Sequence, residues 1–240
     1  MNADHSPIEL RGIVKSYGSK PVLAGLDLAV PKGSVVGLLG TNGAGKTTMI
    51  KCALGLIRPQ AGEARLLGEP AWTLSAEAKM RLGYVPQVIN LYQWMKVRHL
   101  LDYTAAFYRN WNHDLAARLT QQWTMPLEDR VGTLSVGQLQ RLSIMLALAH
   151  EPELLILDEP AASLDPLARR QFLQMIIDLA VPEKRTVLFS THITSDLEHV
   201  ADRVAILKSG RIAWHGLLED LKEQTHLNLE ESFLEMQNAK

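Results

Sequence analysis

One cysteine in 240 residues, Cys52, excludes an internal disulfide, so nothing in the chain requires an oxidising compartment. An excess of charge is missing too: 25 basic residues stand against 26 acidic ones, which argues against a dominant basic face for nucleic acid. The longest apolar stretches, such as residues 142–149, fall well short of the ~20 residues a bilayer span needs, so any span is expected from a partner chain. Residues 1–7 lack the basic start and apolar stretch of a secretory signal, and none is expected. Without long-period repeats or low-complexity segments, the length suits one large domain or two modest lobes around a real core.

What is present centres on GTNGAGKTT, residues 40–48. An apolar run at 34–39 reads as a buried strand before it, and residues 49–54 read as a helix after it. Gly40, Gly43 and Gly45 free the backbone for turns that a Cβ would obstruct, so successive N–H groups converge on one anion. Lys46 brings positive charge to β- and γ-phosphates, Thr47 offers a hydroxyl to Mg²⁺, and the helix directs its positive end to the same place. The expected ligand is a nucleoside triphosphate with Mg²⁺. Cys52 is expected to fill core space beneath this loop.

Upstream, residues 8–17 and 22–30 read as an antiparallel hairpin. Tyr17 ends its first strand, where an aromatic ring either stacks on adenine or simply packs; pattern alone favours packing. Downstream, 62–67 reads as a strand, 75–81 as a short helix, and 82–87 as a strand stopped by Pro86. Gln87 thus stands at a strand tip, where an amide can meet a metal-bound water. From 88 to 150 the text is helical and reads as an inserted lobe, whose Tyr92, Trp94, Trp111 and Trp123 are either core or a docking surface.

Ser135 and Gln138 fit a capping box at the start of an amphipathic helix, a helix start that also suits an anion. Residues 154–157 read as a buried strand delivering Asp158 and Glu159. Adjacent carboxylates there are costly without a task, and beside a P-loop the first helps hold Mg²⁺ while the second polarises the attacking water. Asp165 precedes Pro166 as a helix cap. Residues 186–190 form a further strand leading to His192, either a γ-phosphate partner or a plain loop histidine. Residues 203–208 and 211–215 close the sheet around a Ser209-Gly210 turn, and 217–236 is a helical tail.

With these pieces in order, the chain resembles the ATP-binding subunit of an ABC transporter up to about residue 216. The resemblance rests on GTNGAGKTT, YVPQ ending at Gln87, LSVGQLQR from Leu134, LLILDEP ending at Pro160, SLD ending at Asp165 and STH ending at His192. The LSVGQ segment separates the chain from kinases and small GTPases. The resemblance implies an α/β fold: a P-loop NTPase (RecA-like) core with an antiparallel β subdomain in 1–87 and 151–216, an inserted α-helical subdomain in 88–150 and a helical tail in 217–240, all one ABC ATPase domain.

It also implies roles. ATP and Mg²⁺ are the expected cofactors, with Gly40, Asn42, Gly43, Gly45, Lys46, Thr47 and Thr48 around the nucleotide and Thr47, Gln87 and Asp158 toward the metal. Two subunits, identical or closely related, pair head to tail, so Ser135, Gly137 and Gln138 act in trans. Tyr17 becomes the adenine platform, Gln87 the link to a membrane partner, Glu159 the catalytic base, Asp165 a dimer-seam residue and His192 the γ-phosphate switch. A separate transmembrane permease subunit would hold the chain at the cytoplasmic face of the cell membrane. Residues 107–112 and 229–236 look like text from bacterial exporters of the antibiotic and lipid-linked class.

Val136 departs from the family's usual glycine and is expected at negative φ, which keeps the motif's shape. A rival reading, a soluble ABC-type ATPase in a cytosolic machine such as iron-sulfur cluster assembly, shares every catalytic motif and is separated from transport by membrane recovery. DNA-repair or chromosome use is disfavoured, because 47 residues between Gln87 and Ser135 leave no room for a long coiled coil.

Overall fold

The computed structural model describes residues 6–161, 164, 169–170, 172–174, 176 and 185–238, so Asp165 lies outside the described residues. Two sheets organise the chain. The expected hairpin forms from β1 (Ile8–Tyr17) and β2 (Lys20–Val30), paired antiparallel from Ile8 opposite Val30 to Tyr17 opposite Lys20. β4 (Ala61–Leu66) joins the other edge of β1, and the short β5 (Glu69–Pro70), which the sequence did not announce, completes the order β2-β1-β4-β5.

The second sheet contains β3 (Val35–Leu39), β6 (Leu82–Val85), β7 (Leu154–Leu157), β8 (Thr186–Thr191), β9 (Arg203–Lys208) and β10 (Arg211–Leu217) in the order β10-β9-β3-β8-β7-β6. All neighbours run parallel except β10, which returns antiparallel to β9. Every residue of β3, β7 and β8 is buried, the pattern of strands covered on both faces. β6 stops at Val85 because Pro86 has no N–H for the ladder.

On one face, α1 (Lys46–Ala53) and the first sheet pack around Leu38, Met49, Ile50, Leu188 and the buried Cys52. The other face is covered by α5 (Val136–Leu148), α6 (Thr194–Glu198) and the tail. A third cluster joins α3 (Val97–Ala105), α4 (His113–Gln122) and α5 through Leu100, Trp111, Leu115, Leu119, Leu142 and Met145. α5 is the shared wall, with Leu142 and Met145 toward the helices and Ile144 and Leu148 toward the sheet.

The tail is helical, in two pieces. It divides into α7 (Leu218–Thr225) and α8 (Leu229–Asn238) at His226, whose left-handed conformation (φ 55°) ends α7 with its N–H on Lys222 O. Asn228 Oδ1 then accepts the Glu231 N–H at 2.8 Å and restarts the helix, turning Leu229 and Phe233 into the core. The short helix after β5 is α2 (Ala76–Met80), capped by Ser75 as expected.

Candidate nucleotide site

Sheet order brings the chemistry together. β3, β8, β7 and β6 are consecutive neighbours, so the segments leaving their carboxyl ends meet at one edge. The loop after β3 curls through Gly43 (φ 81°) and Gly45 (φ 109°), conformations that side chains resist, and delivers Lys46 as the first residue of α1. Thr47 and Thr48 share that first turn, half-buried, while Asn42 is exposed on the loop. A Cβ on Gly40 would lie 2.9 Å from Leu207 O, so the entry to the loop has no room for one.

Lys46 is buried. Its Nζ donates to Gly40 O (2.7 Å) and Thr41 O (3.2 Å) and pairs with Glu159 Oε1 at 2.9 Å. The other carboxylate oxygen of Glu159 accepts from His192 Nδ1 at 2.8 Å. Lysine, glutamate and histidine from the ends of three adjacent strands thus form one connected chain of polar contacts. Both Lys46 and Glu159 side chains are 5% exposed, so their charges are largely removed from water and depend on one another.

Thr47 Oγ1 lies 3.2 Å from Asp158 Oδ1 and 3.3 Å from Gln87 Oε1. Asp158 is fully buried, which pushes its carboxyl above the ordinary range, while hydrogen bonds from Ser190 and Thr47 act in the opposite direction. The second oxygen, Asp158 Oδ2, is buried with no protein partner. An orphaned carboxylate oxygen beside a hydroxyl and an amide oxygen is a set of hard donors that fits Mg²⁺ with waters in its shell.

Tyr17 stands half-exposed at the end of β1 with Lys15 Nζ 5.5 Å from its ring centre. Val22, on the partner strand β2, borders Gly45 of the loop. The segment from Ser135 sits elsewhere. Its capping box is present in full, Gln138 N–H donating to Ser135 Oγ at 3.2 Å and Ser135 N–H to Gln138 Oε1 at 2.9 Å. Val136 is 62% exposed in the first turn of α5 and takes negative φ, as expected. Among the described residues, no hydrogen bond joins this segment to the chain's own P-loop.

A second feature lies past Pro86, the sequence neighbour of Gln87. Exposed Trp94, Tyr92, Tyr103 and Phe107 form a continuous ladder, with successive ring centres 6.2, 5.8 and 5.1 Å apart. Tyr92 and Tyr103 also border a cavity of about 500 Å³ that continues past Tyr84 and Pro86 to Tyr108 and His150. Trp111, by contrast, is core, and Trp123 packs half-buried. Sequence periodicity missed Tyr103 and Phe107, because helical spacing alone does not say which face a neighbour covers. It missed Ser190 as well, whose hydroxyl touches both carboxylate residues.

Residues 23–162 match the family model described as "ABC transporter". The chain belongs to the ABC transporter family. An uncharacterised ABC transporter ATP-binding protein of Bacillus subtilis is 34% identical over 232 residues, covering 92% of this chain and 75% of that protein. A Nod factor export ATP-binding protein I of Burkholderia orbicola is 37% identical over 229 residues, covering 89% and 73% respectively. A solved ATP-binding subunit of an ABC transporter superposes with a TM-score of 0.85 at 28% identity, covering 95% of this chain and 98% of that one. A bacterial ABC transporter cassette solved as a dimer shares the fold, at a TM-score of 0.77 and 23% identity over 88% of this chain and 98% of its own. This ABC protein is an ATP-binding subunit, and among its described residues no helix is long and apolar enough to cross a membrane.

Proposed function

We propose that this ABC subunit hydrolyses Mg²⁺-ATP in a head-to-tail pair with a second ATP-binding subunit and drives export through a separate membrane subunit. The observation that carries the reading is the convergence of Lys46, Glu159 and His192 within 2.9 Å contacts at the ends of neighbouring strands. In the working site the P-loop amides and Lys46 receive the phosphates, and Tyr17 stacks on adenine. Glu159, released from Lys46, takes the proton of the attacking water, and His192 meets the γ-phosphate. Thr47, Gln87 and Asp158 hold the metal. When bound, Mg²⁺ supplies neutralisation of charge on the β- and γ-phosphates. Ser135, Gly137 and Gln138 serve the site of the partner subunit, a reading supported by the lack, among the described residues, of any hydrogen bond from them to the chain's own P-loop.

The aromatic ladder and the cavity past Pro86, the sequence neighbour of Gln87, are the proposed seat of the membrane subunit, so closure of the nucleotide site is felt there through Gln87. Closure biases that partner only through different ATP affinities of open and closed states. The export direction takes support from the relative named for Nod factor export. Tagged Glu159→Gln protein recovered from gently solubilised membranes with ATP should bring an integral membrane protein of several spans with it. A purely soluble partner would replace transport with a cytosolic machine.

A further inference from the structure

Between the two carboxylates of the site stands a residue with no assigned task. Ser190 lies near the end of β8, fully buried, with β3 on one side and β7 on the other. The β7–β8 register runs from Leu154 opposite Thr186 to Leu157 opposite Phe189, so the next position in register sets Ser190 opposite Asp158. At that point β7 leaves the ladder. Asp158 N–H still donates to Val85 O on β6 at 2.9 Å, but Glu159 N–H turns to the Ser190 hydroxyl at 2.8 Å. The same hydroxyl donates its own proton to Asp158 Oδ1 at 2.8 Å.

We infer that Ser190 is a positioning residue for both carboxylates, setting the metal-facing oxygen of Asp158 and the backbone from which Glu159 reaches the γ-phosphate position. This role rests on the function proposed above. Glu159 has φ 49°, a left-handed conformation that a non-glycine residue keeps only where the surroundings fix it. Ser190 supplies the fixing bond, since Glu159 N–H is its donor partner. With Oδ1 held by Ser190 and Thr47, the carboxylate of Asp158 has one rotation left to it, the one that leaves Oδ2 open. The hydroxyl's single donor and its acceptor are both engaged, so an apolar substitute strands a buried N–H and loosens a buried carboxylate at once. His192, just past the end of β8, meets the Glu159 carboxylate at 2.8 Å.

The test compares near-isosteres. In the Glu159→Gln parent, the Mg²⁺ concentration giving half-maximal ATP-dependent dimer is measured by size-exclusion chromatography with light scattering, and kcat and KM are measured with Glu159 intact. Ser190→Val should raise the Mg²⁺ midpoint and lower kcat by about tenfold each, the scale of one hydrogen bond to a charged group, with KM for ATP within about twofold. Ser190→Thr, of similar volume but with the hydroxyl, should restore both toward the parent's values. Ser190→Ala, which adds no bulk, should follow Val. Thr and Val behaving alike, or Ala matching the parent, overturns the role of Ser190 and leaves the proposed function standing. Absence of an ATP-dependent dimer in the Glu159→Gln parent overturns both.

Discussion

Lys46 is held in this structure by its own loop and by Glu159, the two groups that the proposed ATP binding would draw it from. In the proposed mechanism Glu159, which also holds His192, exchanges these partners for the attacking water as the site fills. Glu159→Gln weakens the hold on Lys46 and removes the proposed base together. Hydrolysis is expected to fall by ~10²–10³ while ATP still binds and dimer accumulates, read by phosphate release beside chromatography. Lys46→Met acts on the other end, leaving a buried carboxylate without its main countercharge. Its nucleotide-free fold should lose about 3 kcal/mol in urea unfolding, on the scale for removing one member of a buried pair. At this scale the sequence was readable wherever backbone geometry demands a residue type: Gly43 and Gly45 take positive φ, and Lys46 opens the helix. Ser190 was not readable, because its partners come from β7 and only strand order puts them next to it.

Among the elements, α5 joins the LSVGQ segment at its start to the sheet at its end. The start is capped by Ser135, and Ser135→Ala should cost about 1 kcal/mol in thermal or urea unfolding while also weakening ATP-dependent pairing. Just past its end, His150 is buried against Tyr108, ring centres 4.0 Å apart, and its Nε2–H donates to Leu82 O at the start of β6. Burial holds its pKa below the ordinary histidine value, with Arg185 adding in the same direction. Between that lowered value and about 6.5 the unfolded chain binds more protons than the folded one, so stability rises with pH. The contribution is complete above about pH 6.5 and is lost as pH falls below it; half-buried His215, its pKa lowered by desolvation, adds the same slope. His150→Phe should reduce the drop in urea midpoint between pH 7.5 and 5.5 without abolishing it. The elements themselves were largely legible, since β3, β7 and β8 are short apolar runs and Ser135 with Gln138 marks a helix start. The break at His226 was not, because neither glycine nor proline announces it and the packing of Leu229 and Phe233 decides it.

At the scale of the whole molecule, the P-loop residues gather where neighbouring strands end, while the LSVGQ segment opens α5 with Val136 exposed. The proposed head-to-tail pairing would bring these two regions of different copies together without a change in the fold of either. The sequence conveyed this division through six motifs in order, yet not which surface aromatics would remain uncovered. Of the five tryptophans, Trp111 is buried and Trp123 and Trp214 are half-buried, leaving Trp72 at 55% and Trp94 at 71% exposed. The molecule consequently carries its own optical reporter. In a Trp72→Phe background, the emission most open to collisional quenching by iodide belongs to Trp94, at one end of the aromatic ladder. A membrane subunit seated there should shield that fluorescence from iodide, making docking visible in the cuvette without turnover of a single ATP.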